Sequence, residues 1–519
     1  MEQQLAFPGM QKEAHTRRFV LSQTKILSTF FAVDRSPDNY QVVDIQRRAC
    51  WIGLALILQS LNEINVHWYA PFVPFLKPWA GFIPFALIAG SFYMLWMAFR
   101  PTTLKEQTQR LVQHPYRWQR ITLNLVLIST LAGVFVFGYA ISQGFFTAPK
   151  YTNDGTSLDA NAAIELLEGH NPYENPNLVK IVRFFKLEPD WTTPLRQGQF
   201  ADRLDYPSSV DVRSVYDTGG KSGQLPEFEA KVSYPALSFL TLVPFVWLGV
   251  YNVLPFYLLC YIALVGLGWK VARRELRPWI ILFAMADVPM WGSVVGGNLD
   301  VLAILLVVVA WLGRERRWLS ALALGLAVAC KQPTWFYVPF YAILVFRTHG
   351  WKEMAQRLLI AGSLALALNL PFILWDTHAW LAGVMAPVSD PMFPMGVGIV
   401  GLSGSPIMPS YMPGIVYSIL EYGIFYPLCL LWYWRLCRTR PEAAMLLAVL
   451  PLFFAWRSLP SYFACAAFPM FILLAWRGNM NKGSQPYHTP TLNGPEQTGA
   501  KPSTCEASTQ HEELVGTLA

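Results

Sequence analysis

Apolar runs near 20 residues long, repeatedly bounded by Lys and Arg, constrain this chain more than any other feature. In hydrocarbon every backbone amide and carbonyl must bond within the protein, so such runs fold as helices. The balance of residues agrees: 54% are apolar and 14% charged, where a soluble domain carries about 25% charged. The first run starts near Ala49 behind a polar, basic segment, too late and too long for a cleaved signal peptide. The expected fold class is an all-α polytopic membrane protein of about 12 transmembrane helices, with a large first outer loop containing short interfacial helices. The twelve spans fall at roughly 50–70, 79–99, 119–142, 253–271, 278–295, 298–313, 317–331, 333–347, 357–375, 411–435, 442–456 and 459–476.

Charge orients them. Arg47 and Arg48 precede the first span; Arg100, Lys105, Arg110, Arg117 and Arg120 separate the second and third. Further basic groups follow every second span: Lys270 to Arg277, Arg314 to Arg317, Arg347 to Arg357, Arg435 to Arg440, and Arg477 with Lys482. Loops rich in Lys and Arg stay cytoplasmic, so both termini are expected inside and the 143–252 loop outside. The net charge of +7 therefore reports orientation and gives no reason to expect nucleic acid. Tyr234 to Val250 opens with Tyr-Pro and is apolar, but a full crossing there would turn every later basic group outward. It is read as a short helix on, or dipping into, the outer face.

The expected organisation is a cytoplasmic segment 1–48, two helices within 49–118, a membrane body 119–477, and a disordered cytoplasmic tail 478–519 rich in Gly, Pro, Ser and Thr. Of seven cysteines none lies in the long polar loop, so no disulfide framework or Cys-based metal site is expected.

The long loop carries the most distinctive local chemistry. A helix-like stretch from Asp154 to Leu167 ends at Gly169-His170-Asn171-Pro172-Tyr173. Gly169 fits a helix C-cap, and Asn-Pro stops the helix from continuing. Asp154 and Asp159 stand at i, i+5, and each could activate a hydroxyl near the bilayer surface. Asp154 fits a helix cap as well. Gly297-Asn298-Leu299-Asp300 opens a span at the outer face, where an acid needs a partner or water; the same residues also suit a plain turn. Lys331 and Arg457 break the charge rule, because both fall at outer span ends. They suit a phosphate, Lys as a point charge and Arg as a planar fork, or else they snorkel to headgroups. Tyr462 lies five residues beyond Arg457. Around His378 and Asp376 too few ligands gather for a metal. No phosphate-binding loop, dinucleotide fingerprint or zinc-protease pattern stands out.

Taken in order, the acidic helix, the Asn-Pro-Tyr turn, Tyr234-Pro235, Gly297-Asn298 and the small-residue helix Gly325 to Cys330 before Lys331-Gln332-Pro333 resemble a known family. It is the C-type superfamily of integral-membrane glycosyltransferases, in its bacterial polyprenyl-phosphate-mannose-dependent branch. The resemblance covers roughly 125–475. It implies a hexose, mannose first, moved from a polyprenyl-phosphate sugar to a lipid, glycan or protein acceptor of the envelope at the outer membrane face. Asp154 then holds the catalytic position with Asp159 in reserve. Lys331 and Arg457 hold the donor phosphate. Asn171, Tyr173, Tyr234, Asn298, Asp300, Gln332 and Tyr462 line the site. No cofactor is implied beyond the donor, no metal ligand is assigned, and dependence on a divalent metal stays open. Two departures stand out: Ala236 replaces a family Pro, and two spans precede the usual first one. The rival class is a transporter or flippase of a lipid-linked sugar, which buried charge near the membrane midplane would favour. A membrane scaffold is a third class.

Overall fold

The computed structural model describes residues 29–31, 40–68, 81–101, 117–146, 151, 154–174, 177–222 and 225–480. Lys105, Arg110, the tail beyond Met480 and most of 1–48 lie outside the described residues. The fold is all-α. In chain order come α1 (Tyr40–Trp68), α2 (Phe82–Phe99), α3 (Arg117–Phe146), α4 (Asp154–Leu167), α5 (Leu178–Phe184) and α6 (Ser209–Ser222). Two short helices follow, α7 (Leu237–Leu240) and α8 (Val243–Trp247). The body continues with α9 (Leu254–Val271), α10 (Arg277–Ala286), α11 (Val288–Gly296), α12 (Asp300–Leu312), α13 (Arg317–Cys330), α14 (Tyr337–His349), α15 (Trp351–Trp375) and α16 (Thr377–Ser389). Last are α17 (Gly414–Leu436), α18 (Ala444–Leu447) and α19 (Ser461–Met480). Among the described residues the only sheet pairs two dipeptides in parallel, β1 (Met395–Gly396) with β2 (Arg457–Ser458).

Among the described residues, five stretches are long and apolar enough to cross a membrane: Phe82–Phe99, Arg117–Phe135, Leu254–Val271, Trp351–Trp375 and Gly414–Leu436. They match five of the twelve expected spans. The other seven are not among them. The run read as 278–295 is two helices bent by 56°, and counts as a sixth crossing only if the bent pair is one span. The bend falls where Asp287 caps α11 and Pro289 removes a backbone donor. The first expected span lies in α1, which is 29 residues long, carries Gln59, Asn62 and Glu63 towards its C-terminal end, and is not among the five. The run read as 442–456 is broken by Pro441 and Pro451 into α18 and two 3-10 turns. The remaining expected spans become α12, α13, α14 and α19, the first three only 13, 14 and 13 residues long. At 1.5 Å per residue such helices reach about 20 Å, short of a hydrocarbon core near 30 Å. The apolar segment 234–250 is α7 and α8, four and five residues long, and neither can cross.

α1 packs along α2 and against α3, α10, α11 and α19, while α13 packs between α12 and α15. The basic groups meet at one end of this bundle. Arg48 donates to Asp44 Oδ2 at 2.6 Å and to the Arg100 carbonyl at 2.9 Å. Arg357 bonds Glu353 at 2.8 Å and the Arg314 carbonyl. Arg438 donates to the Arg347 carbonyl at 2.7 Å, and Arg477 to the buried Glu442 at 2.9 Å. These residues flank the C-terminal ends of α12, α14, α17 and α19 and the N-terminal ends of α13 and α15. The opposite ends of α12, α13 and α19 begin or end at Asp300, Lys331 and Ser461.

Candidate functional site

That opposite end gathers most of the candidate residues. Lys331 closes α13 and is buried. Its Nζ donates to Asp300 Oδ1 at 2.7 Å and to Asn298 Oδ1 at 3.3 Å, and it sits 5.2 Å from the Tyr234 ring centre. Asp300 Oδ2 is buried without a donor. The turn that presents Asn298 and Asp300 depends on Gly297, which ends α11 with φ of +76°. A Cβ there would stand 2.9 Å from Leu254 and 3.0 Å from Thr156, so both the left-handed backbone and the close packing require glycine. Thr156 of α4 bonds the Gly297 carbonyl, which locks the acidic helix onto this turn.

α4 turns both of its carboxylates inward. Asp159 is fully buried; its Oδ1 accepts from Ser238 Oγ at 2.8 Å and its Oδ2 has no donor. Burial pushes this carboxyl up to about 7, with the Ser238 bond and the Lys331 charge acting the other way. Asp154 opens the helix. The residue is half-buried, and its Oδ2 is shielded from solvent with no well-formed hydrogen bond. Burial raises its carboxyl above the ordinary range, while Thr193 and the Arg457 charge favour the ionised form. Each α4 carboxylate thus has its own cation: Asp159 feels Lys331, and Asp154 feels Arg457.

The two cations differ in kind. Lys331 is already neutralised by Asp300. Arg457 sits in β2, and pairing with β1 sets its guanidinium beside two thioethers, Met392 Sδ at 2.6 Å and Met395 Sδ at 3.9 Å. Sulfur is a weak acceptor. Among the described residues no carboxylate lies within salt-bridge distance of Arg457. Its planar donor set therefore remains available to an anion, with Asp154, Tyr206 and Tyr462 in electrostatic reach. Tyr462 lies within electrostatic reach of both Arg457 and Lys331.

The Gly169–Tyr173 pentad serves this site through its shape. Gly169 adopts φ of +82°, and the His170 amide bonds the Glu165 carbonyl at 2.8 Å, capping α4. Asn171 Oδ1 accepts from the Tyr173 amide at 3.1 Å. That turn buries Tyr173 against Phe239 and Phe372, and its hydroxyl donates to the Tyr234 carbonyl at 2.9 Å. Gln332 holds the same segment, donating to the carbonyls of Ser233 at 2.5 Å and Val384 at 2.8 Å. Asn171, Tyr173 and Gln332 thus position Tyr234 and take no charge themselves. Ala236 also acquires a reason: its amide donates to Asn369 Oδ1 at 3.0 Å, a bond proline cannot make.

On the exposed end of α4, Glu165, Glu168 and His170 each offer a ligand atom within 4.8 Å of one another. Lys180 already stands 3.6 Å from Glu165. Asp376, noted beside His378, caps α16 by accepting from the Ala379 amide at 2.9 Å. The segment after it is tied down, with Lys231 Nζ on Asp390 Oδ2 at 2.6 Å and the Arg196 amide on the Pro391 carbonyl at 2.7 Å.

Several neighbours carried no usable signal in one dimension: Ser238, Thr193, Tyr206, Met392 and Met395 reach the site from segments far apart in the chain. Glu421 did carry one. It is an acid in an apolar run, buried in a π-helical segment of α17 and in electrostatic reach of Tyr462. No family model, curated protein or solved structure matches this chain.

Proposed function

We propose that the chain is a membrane glycosyltransferase that moves a hexose, mannose first, from a polyprenyl-phosphate sugar to an envelope lipid, glycan or protein. The single observation that carries the reading is the Asp154–Arg457 arrangement: a shielded carboxylate within electrostatic reach of a guanidinium whose side-chain hydrogen bonds, among the described residues, go to sulfur. In this reading Asp154 takes the proton from an acceptor hydroxyl. The hydroxyl oxygen then bonds the anomeric carbon as the carbon–oxygen bond to the phosphate breaks. The electron pair leaves on the phosphate oxygen, where Arg457 offers a bidentate fork for the growing charge. A carboxyl raised by burial is a stronger base than one in water, which suits the role. Asp159, Lys331 and Asp300 form a second charged group. The proposal includes cytoplasmic termini and a site on the outer face. Its support there is the segregation of the basic network from the site to opposite ends of α12, α13 and α19.

The test is to incubate purified protein with polyprenyl-phosphate hexoses and envelope acceptors, and to measure released lipid phosphate and glycosylated product. Turnover abolished by Asp154→Asn supports the reading; no release with any donor overturns it. One observation favours the transporter instead, a buried carboxylate at the break in a bent span.

A further inference from the structure

Three segments far apart in the chain meet beside the proposed site, and one buried carboxyl stands where they join. The Leu195 amide donates to the Glu227 carbonyl at 2.7 Å, and the Glu229 amide to the Thr193 carbonyl at 2.9 Å. Leu195 also bridges Met392 in antiparallel sense, beside the bond from the Arg196 amide to Pro391. The first segment carries Thr193, which bonds Asp154. The third carries Met392, whose sulfur meets Arg457 and whose carbonyl accepts from Trp456 Nε1 at 3.2 Å. The packing of these segments against one another thus bears on both Asp154 and Arg457.

Glu229 is 2% exposed. Its Oε1 accepts from the Lys231 amide at 2.8 Å; its Oε2 is buried with no donor among the described residues. The Glu229 side chain meets a second carboxylate, that of Asp390. Asp390 Oδ2 accepts from Lys231 Nζ at 2.6 Å, and its Oδ1 from Ser389 Oγ at 3.3 Å. Two ionised carboxylates in contact repel, and one lysine balances only one of them. A proton on Glu229 removes the excess charge and makes this carboxyl a donor to Asp390. Burial and then Asp390 push the Glu229 carboxyl up to about 8, with Lys231 acting the other way. The neighbouring Glu227 and Arg196 are engaged elsewhere, with the Gln199 amide at 3.1 Å and the Arg203 carbonyl at 2.9 Å.

We propose that Glu229 is a positioning residue for the transfer, whose protonated carboxyl donates to Asp390 and so holds the Met392 segment against the Thr193 segment. It touches neither donor nor acceptor; it acts through Thr193 on Asp154 and through Met392 on Arg457. The inference rests on the glycosyltransferase reading. Loss of the proton leaves two carboxylates facing each other, which loosens the clamp and slows turnover. With Glu229 at about 8, the protonated share falls about tenfold between pH 7 and pH 9, and kcat should fall with it. Glu229→Gln presents a donor and an acceptor in the same shape at every pH.

The test is hydrogen exchange read by mass spectrometry on the full chain in lipid nanodiscs, at pH 7 and pH 9, for the wild type and Glu229→Gln. In parallel, kcat for lipid-phosphate release is measured at saturating polyprenyl-phosphate hexose. Comparing the two proteins at one pH cancels the intrinsic pH dependence of exchange. The expected result is equal exchange at pH 7, and at pH 9 faster exchange in the wild type across 193–197, 227–231 and 389–392. Wild-type kcat should fall about tenfold over the same interval, and the variant should keep its own. Equal exchange at pH 9 would overturn the proposal. Unequal exchange with the same fall in kcat would leave a merely structural proton and overturn the positioning role. Unequal exchange with no release from any donor would support the clamp and sink the transfer reading alone.

Discussion

Replacing Lys331 and Arg457 by alanine one at a time should separate two losses that the chain's charge pattern makes look alike. Lys331→Ala strips the partner from Asp300, whose carboxylate is 6% exposed and already has one oxygen without a donor. Breaking such a buried pair from one side costs about 3–5 kcal/mol. Arg457→Ala leaves behind only two thioethers, which pack well without a donor. Its stability cost should stay near about 1 kcal/mol or below. Donor recognition should respond in reverse. Losing a charged hydrogen bond to phosphate costs about 1.5–3 kcal/mol, roughly a ten- to hundredfold weaker apparent affinity at about 1.4 kcal/mol per decade. Melting temperature in nanodiscs reads the first quantity, and the donor concentration at half-maximal lipid-phosphate release reads the second. Lys331→Ala should lose more melting temperature, and Arg457→Ala more donor affinity. Lys331→Met with Asp300→Leu should recover much of the stability, because an apolar pair can replace a buried ion pair. Equal melting losses in the two alanine variants would refute the assignment of structure to one cation and binding to the other. So would an Arg457→Ala protein with unchanged donor affinity.

Asp154→Asn should fold and bind donor yet turn over at least about a hundredfold more slowly, with Asp159→Asn less harmed; the reverse order in lipid-phosphate release would move the base to Asp159. Asp159 is held at about 7 against 3.8, so the folded state keeps a proton that the unfolded chain releases. Stability should therefore fall as pH rises from 3.8 to about 7 and level off above, and melting curves of Asp159→Asn should lack that slope. Tyr173→Phe removes the bond to the Tyr234 carbonyl and should cost about 1 kcal/mol of stability; a larger loss of turnover than of folding would give Tyr173 a chemical part. A membrane-impermeant thiol reagent applied from outside should label Ser214→Cys and spare Arg316→Cys, and the opposite pattern would invert the orientation.

Much of the helical framework was legible in one dimension. Five expected spans match helices within a few residues, because an apolar run in hydrocarbon has one way to satisfy its backbone. The cap at Gly169 and the turn at Gly297 were also legible, since a left-handed residue at a helix end selects glycine locally. Span number was less so. Apolar composition sums over a window and passes over a single Asp287 before Pro289, or Pro441 and Pro451, each of which breaks a helix.

The chain by itself determined that helices form, that some end at a glycine such as Gly169 or Gly297, and which charged residues stand out against apolar neighbours. Those properties depend on residues within a few positions of one another. Tertiary structure alone decided that Lys331 is spent on Asp300 while the Arg457 guanidinium bonds the thioethers of Met392 and Met395. The same holds for Ala236, whose amide serves Asn369 from 133 positions away, and for Gln59, oriented by a carbonyl 404 positions away. A charge or an amide acquires its state from what surrounds it after packing, and partners at that separation leave no spacing to read.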